Sequence, residues 1–204
     1  PVTGQQYEAG VRYAPGDGRF MVTASVYQLT QQNIVSTDPA DSSLTYQTGE
    51  IQSRGFEIEG RAAVTENLSM VASYSRINAK TIEDKDPANV GLKTSNTPRD
   101  QAALWTKYQF DTGTFDGVSL GGGVRYTGVS YDRKNTTKVP EYMLFDAMVA
   151  YDLGVVSNTL DGASIQLNAV NLTDETYVSS CTVGAWACWY GPGRSIVATL
   201  KYKW

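Results

Sequence analysis

Glu141-Tyr142-Met143-Leu144-Phe145-Asp146-Ala147-Met148-Val149-Ala150-Tyr151-Asp152-Leu153 decides the fold. Met143, Phe145, Ala147, Val149, Tyr151 and Leu153 fall on one side of a period-two alternation, opposite Asp146 and Asp152. A run of alternating character is a half-buried β-strand, since successive side chains of a strand point to opposite faces. Helical periodicity is nearly absent elsewhere, and the same alternation returns about every twenty residues.

Nine strands are predicted. They are Gln5–Tyr13, Arg19 to about Val35, Tyr46–Val64, Leu68–Ala79, Arg99–Phe110, Val118–Val129, Glu141–Leu153, Ala163–Asn171 and Arg194–Trp204. In the second, the phase slips near Tyr27–Leu29, where a bulge is expected. Each segment holds about ten alternating residues, the length a tilted strand needs to cross a bilayer. The connections sort by length. Ala14–Gly18, Thr65–Asn67, Asp111–Gly117 and Gly154–Gly162 are short, whereas Ser36–Thr45, Lys80–Pro98, Ser130–Pro140 and Leu172–Gly193 are long and polar. Short turns at one end and long loops at the other are the layout of an outer-membrane barrel, and a soluble sandwich has no reason to sort its loops this way. With the short turns placed in the periplasm, Tyr13, Phe20, Tyr108, Phe110, Tyr151, Tyr202 and Trp204 gather near that rim as an aromatic girdle. Trp105 does not join them, because its parity puts it on the lumen side.

Composition agrees and excludes other classes. The 204 residues include 13 Tyr and 19 Gly, with 19% charged residues, as half-exposed β-structure requires. A net charge of −4, with basic residues scattered singly, argues against nucleic-acid binding. The absence of His removes Ser/His/Asp and Cys/His catalysis, His-ligated zinc and a His-based pH switch. No apolar stretch approaches the roughly 18 residues of a membrane helix. Pro1–Tyr13 has no basic n-region or apolar h-region, so either the chain is not exported or Pro1 is not its biological start. Bacterial single-chain barrels have even strand counts, and an open sheet would leave edges unpaired in lipid. The odd count therefore predicts either a fragment, most simply one that lacks its N-terminal part, or a count off by one strand.

Inward parity is shared by Arg12, Glu57, Glu59, Arg61, Lys107, Arg125, Asp146 and Asp152. Charges facing lipid would cost several kcal/mol near the midplane, so these are expected to face the lumen, solvated there or against a plug. Asp84 and Asp86 have the spacing of a cation-loop start without its Gly and Glu, and read as solvated loop charges.

Ile196, Ala198, Leu200, Tyr202 and Trp204 form a strictly alternating terminus that resembles the C-terminal targeting signal of outer-membrane barrels. Asn171-Leu172-Thr173-Asp174-Glu175-Thr176-Tyr177 resembles the Asn-Leu-Phe-Asp-x-x-Tyr stretch near the end of TonB-dependent receptors, with Thr173 in place of Phe. The segment from Cys181 to Cys188, followed by Trp189-Tyr190-Gly191-Pro192-Gly193-Arg194, resembles the last loop of ferric hydroxamate (ferrichrome-type) siderophore receptors. Gln5–Tyr13 and Gly49–Glu59 are similar to the same family, so the resemblance covers essentially the whole chain.

The resemblance implies an all-β antiparallel transmembrane barrel of 22 strands closed by an N-terminal plug, of which residues 1–204 would be the last nine strands. At about 23 residues per strand, the complete barrel would need roughly 500 residues. It implies a bacterial outer-membrane receptor that binds a ferric siderophore and imports it with TonB-derived energy. Iron would arrive within the siderophore, with no cofactor or metal site of the protein's own. Expected partners are the TonB complex through the plug, the barrel assembly machinery, outer-membrane lipid, and phage or bacteriocin. The loop position implies a Cys181–Cys188 disulfide in an oxidising compartment, worth about 2–3 kcal/mol on the chain-entropy view. In such receptors the residue after the first loop Cys is an aromatic that touches the siderophore. Here it is Thr182, and six residues rather than five separate the cysteines. Trp186 would then supply the contact, or the ligand differs. Thr182, Trp186, Trp189 and Tyr190 are the candidate ligand residues. Two other readings remain at this level: a small outer-membrane enzyme, for which only an acidic pair such as Glu57 and Glu59 could serve, and a soluble secreted β-protein.

Overall fold

The computed structural model describes residues 1–16 and 18–203. Among the described residues there are thirteen strands: β1 (Thr3–Tyr13), β2 (Phe20–Thr37), β3 (Thr45–Ala63), β4 (Leu68–Glu83), β5 (Asp100–Gln109), β6 (Val118–Thr127), β7 (Ser130–Tyr131), β8 (Lys138–Val139), β9 (Tyr142–Asp152), β10 (Ala163–Val170), β11 (Val178–Cys181), β12 (Cys188–Tyr190) and β13 (Ser195–Tyr202). Nine of them make one antiparallel sheet in the order β1-β2-β3-β4-β5-β6-β9-β10-β13. Each neighbour in the sheet is the next long strand in sequence, which is the up-and-down order. The two extra hairpins, β7–β8 and β11–β12, lie inside long loops and were not foreseen from sequence.

The register is continuous enough to trace one face across all nine strands. Val11 pairs with Ala24, Ala24 with Ile58, Ile58 with Tyr74, and Tyr74 with Ala102. The row continues through Ala102–Tyr126 and Tyr126–Met143, and a second row on the same face runs Leu120–Val149, Leu167–Val149 and Leu167–Ala198. Every apolar set named above therefore shares one side, and that side is open: Val11, Ile58, Met143, Leu167 and Leu200 are all exposed. Glu57, Glu59, Arg125 and Asp146 share the other side. The fully buried apolar residues, among those described, are only Val139, Leu144, Ala163 and Cys181. Exposed surface totals 13093 Å², against about 9,400 Å² for a compact globule of this size. Such a sheet has its apolar face where a globule has water.

The limits of that face are marked by chemistry. On β4 the outward residues run Leu68, Met70, Ala72, Tyr74 and then Arg76. Nine residues from Leu68 to Arg76 match the roughly 9–11 that cross a bilayer. Arg76 faces Asp100, with Nε and Oδ1 3.7 Å apart, and the Tyr74 hydroxyl donates to the same oxygen at 2.7 Å. Two residues further along, opposite Asn78, Arg54 donates to Gln28 at 2.8 Å. Near the short turns, Tyr13 meets Phe20 at 6.2 Å between centroids, and Tyr108 meets Phe110 at 4.8 Å. Tyr151, opposite Ile165, and Tyr202, opposite Ala163, lie toward the same end. β2, β3 and β4, at 18, 19 and 16 residues, continue well beyond this band and carry their hairpin above it.

Two local readings change. The β2 register runs unbroken from Phe20 to Gln31, so no bulge lies at Tyr27–Leu29. The shifts come instead between Gln31 and Val35, where Asn33 has φ 61°. Tyr27 is simply an inward aromatic whose ring lies against Gly55, at the only kind of residue whose backbone can be approached so closely. Trp105 behaves the same way, lying on the backbone of Gly121 and Gly123; a Cβ at Gly121 would stand 2.7 Å from its ring. Of the terminal signal, Ile196, Ala198, Leu200 and Tyr202 face outward on β13, and Trp204 lies outside the described residues.

Replacing Ala147, at the middle of the outward face, by Arg is expected to cost about 2–4 kcal/mol in a bilayer. Ala150→Arg, on the opposite face, is expected to cost far less. Urea titration in lipid vesicles measures both, and equal losses would contradict the assignment of faces.

Candidate functional site: the lumen face and the external loops

The inward side of the sheet forms a trough of about 630 Å³ whose lining includes Glu8, Thr23, Ser25, Glu57, Glu59 and Arg125. Glu59 pairs with Thr23 and Ser73, and Glu57 with Ser25 and Ser75, so short polar neighbours leave both carboxylates reaching into the trough. Glu8 belongs to this group and was missed in the sequence. Arg12 and Arg61 lie toward the short-turn end of the same side, and Lys107 stands between Ser69 and Gly121. Asp152 is otherwise engaged: its Oδ1 accepts from Gly154 N at 2.9 Å and caps the 3-10 turn Leu153–Val155.

Arg125 and Asp146 form a paired unit. Arg125 Nε and Nη2 donate to Asp146 Oδ2 and Oδ1 at 2.6 and 2.9 Å, the two-pronged geometry that makes guanidinium–carboxylate contacts strong. Asp146 Oδ1 also accepts from Asn171 N at 2.9 Å. Asn171 is buried with φ 52° and bonds Glu175 through both ends of its amide. Asp174 Oδ1 then accepts from Arg194 N at 2.7 Å, and the Tyr177 ring lies against Gly191 and Tyr142. The 171–177 stretch is thus a knot that ties the end of β10 to the start of β13 and to an ion pair on the lumen wall.

Above the band, three loops are joined. The loop 84–99 reaches 128–141 through Asn135, whose Oδ1 accepts from Lys93 N at 2.8 Å and whose Nδ2 donates to Lys93 O at 2.9 Å. Asn96 N donates to Tyr131 O at 2.8 Å, and Asn96 Oδ1 accepts from Cys181 N at 3.0 Å. Arg133 N donates to Thr182 O at 2.9 Å. Cys181 and Cys188 are disulfide-bonded at the end of the β11–β12 hairpin. Thr182 is held within this hairpin, its N donating to Ala187 O at 2.9 Å. Trp186 projects at the tip with 86% of its surface exposed, while Trp189 and Tyr190 are exposed lower down. Asp84, read as a solvated loop charge, instead organises its loop: it accepts from Asp86 N, Asn89 Nδ2 and Ser36 Oγ. Among the described residues no group of three or more acidic or sulfur side chains could hold a metal ion.

Asp132 is the loop residue that sequence reasoning missed. It is fully buried, and its carboxyl is held down to about 2, first by the Gly184 N–H and then by the Thr137 N–H. The local turn could have been suspected from Asp132 followed by Asn135, Thr136 and Thr137. The bond to Gly184, fifty-two residues away, left no sequence signal.

An apolar face turned outward, crossed by strands of bilayer length and bounded by aromatic and ionic rims, defines a segment of a transmembrane β-barrel. The TonB dependent receptor-like β-barrel family model matches residues 1–172, and the chain belongs to that family of outer-membrane proteins. It is 39% identical, over its whole length, to the ferrichrome outer membrane transporter/phage receptor of Escherichia coli K12. It is 37% identical over 99% of its length to the ferrioxamine B receptor of Salmonella typhimurium. The chain spans 27% and 28% of these relatives' own lengths. Among solved structures, the ferric preacinetobactin receptor from Acinetobacter baumannii superposes with a TM-score of 0.81 at 20% identity, covering 98% of this chain and 29% of that one. Members of the family are receptors and transporters rather than enzymes, and the soluble-protein reading falls with the family assignment.

The folded Asp132 titrates near 2 and an unfolded Asp near 3.8, so its contribution is present in full above about pH 5 and lost as pH falls through about 2. Hydrogen exchange of residues 178–190, corrected for intrinsic rates, is expected to stay constant from pH 7 to 5 and to accelerate toward pH 2. Constant protection down to pH 2 would contradict the buried anchor.

Proposed function

We propose that the chain is the C-terminal, nine-strand portion of a 22-stranded plugged receptor that binds a ferric hydroxamate siderophore and imports it with TonB-derived energy. The observation that carries the reading is identity of 35–39%, across the whole chain, to proteins named as ferrichrome and ferrioxamine receptors. Hydroxamate complexes are bulky, weakly charged and apolar at their flanks, so aromatic side chains suit them better than a charged pocket does. Trp186, Trp189 and Tyr190 supply such surface at the external end, with Thr182 beside the disulfide. Iron travels as cargo wrapped by its own ligand and needs no protein side chain.

On this reading the trough faces a plug contributed by preceding sequence. Arg12, Glu57, Glu59, Arg61 and Lys107 offer it charge of both signs, while Asp146 and Asp152 are spent on Arg125, Asn171 and Gly154. The open edges of β1 and β13 pair with the remaining strands, because an unpaired edge is not tolerated in lipid. The outward-alternating β13 is the segment read by the barrel assembly machinery. The TonB complex is met through the plug. Phage or bacteriocin docking on the external loops is a second use; the E. coli relative's name includes phage receptor, and the tip of the disulfide hairpin presents exposed Trp186.

Radioiron uptake by iron-starved cells carrying the full-length receptor as their sole siderophore receptor tests this directly. Ferrichrome or ferrioxamine B is expected to be taken up in a TonB-dependent manner, and Trp186→Ala to reduce uptake severalfold. Uptake of ferric catecholates alone would overturn the hydroxamate assignment.

A further inference from the structure

The disulfide closes the loop between Cys181 and Cys188 but does not decide where that loop stands. Its position is set from two other loops. Asp132, at the start of the turn between β7 and β8, is fully buried. Its Oδ1 accepts from Thr137 N at 3.0 Å, and its Oδ2 accepts from Thr136 Oγ1 at 2.8 Å. Oδ2 also accepts from Gly184 N at 2.9 Å, in the tip of the disulfide loop. Two of the bonds rigidify its own turn and the third crosses to the neighbouring loop.

Charge makes this arrangement strong and specific. An ionised carboxylate is purely an acceptor, and bonds to it are roughly twice as strong as neutral ones. Removing it would take the acceptor from the N–H groups of half-buried Gly184 and Thr137, which costs most where water cannot replace it. Gly184 is also the point where displacement would matter most. It has φ +69°, and a Cβ built on it would lie 3.0 Å from Trp186 Nε1, so the exposed indole stands beside the anchored residue.

We propose that Asp132 is a positioning residue for the disulfide hairpin: through Gly184 it sets where Trp186 stands at the external mouth, and so acts on ligand capture without touching the ligand. The capture half rests on the siderophore reading above; the anchoring half does not.

The test is a double-mutant cycle in the full-length receptor, with ferrichrome and ferrioxamine B as probes. Asp132→Ala is expected to weaken binding about tenfold, and Trp186→Ala by a similar factor. The double variant should bind no more weakly than the weaker single, since a residue acting through Trp186 has nothing left to position. Multiplying losses would overturn the capture role, because independent effects add in free energy. If Asp132→Ala does not reach the outer membrane, Asp132→Asn takes its place in the cycle, with one amide oxygen retained as acceptor and a smaller loss expected. Hydrogen exchange on the same variants reads the anchor without any siderophore. Faster exchange confined to residues 178–190, with 118–127 unchanged, supports it, and unchanged protection overturns it. Wild-type receptor that binds neither probe would sink the siderophore reading, and exchange alone would then decide whether Asp132 holds the hairpin.

Discussion

A bilayer core offers no water to a strand's backbone and no welcome to a charge, and both demands fall on the same residues. Backbone N–H and C=O groups find partners only sideways, in neighbouring strands, so pairing has to run unbroken from one strand to the next. Side chains are then sorted by parity alone, because a shift of one residue would exchange the two faces. The pairing from β1 to β13 meets the first demand, and the outward apolar face shared from Val11 to Leu200 meets the second. The scarcity of a buried apolar core follows, since this sheet packs against lipid rather than against a second layer.

Outside the band the chain changes its method. Loops there have water to satisfy them and no lipid to hold them, yet three of them are tied by a few side chains that imitate backbone. Asn96, Asn135 and Asp132 each give acceptors to amides on another loop, and Asn171 does the same beside β10. Positive φ at Asn96, Asn135 and Asn171 shows why this residue type was chosen. A short polar side chain tolerates the left-handed region and bonds nearby backbone at once. The disulfide adds closure to one hairpin; the amide and carboxylate bonds add position.

Legibility in the sequence followed the range of the cause. Strand existence, facing and the sorting of turns were readable because parity is local, as in Met143 to Tyr151 against Asp146. Lumen-side aromatics blurred it: Tyr27 resembled a phase slip only because its partner Gly55 lies in another strand. Arg125 and Asp146 could each be assigned a face, but their pairing needed a register between β6 and β9 that sequence does not print. Asp152 was read as a lumen charge, whereas its position at a strand end turns it into a cap. The hairpins β7–β8 and β11–β12 are too short to show a period, and the carboxylate bond that joins them crosses fifty-two residues. Family resemblance supplied the Cys181–Cys188 disulfide.

Alternate residues of this sheet face lipid. Single nitroxide labels placed in turn from Met143 to Tyr151, in the full-length receptor in bilayers, report it through their accessibility to oxygen and to a water-soluble nickel complex. Oxygen access is expected to peak at 143, 145, 147, 149 and 151, with nickel access favoured at 146, 148 and 150 and both low at buried Leu144. A flat profile, or the opposite phase, would contradict it.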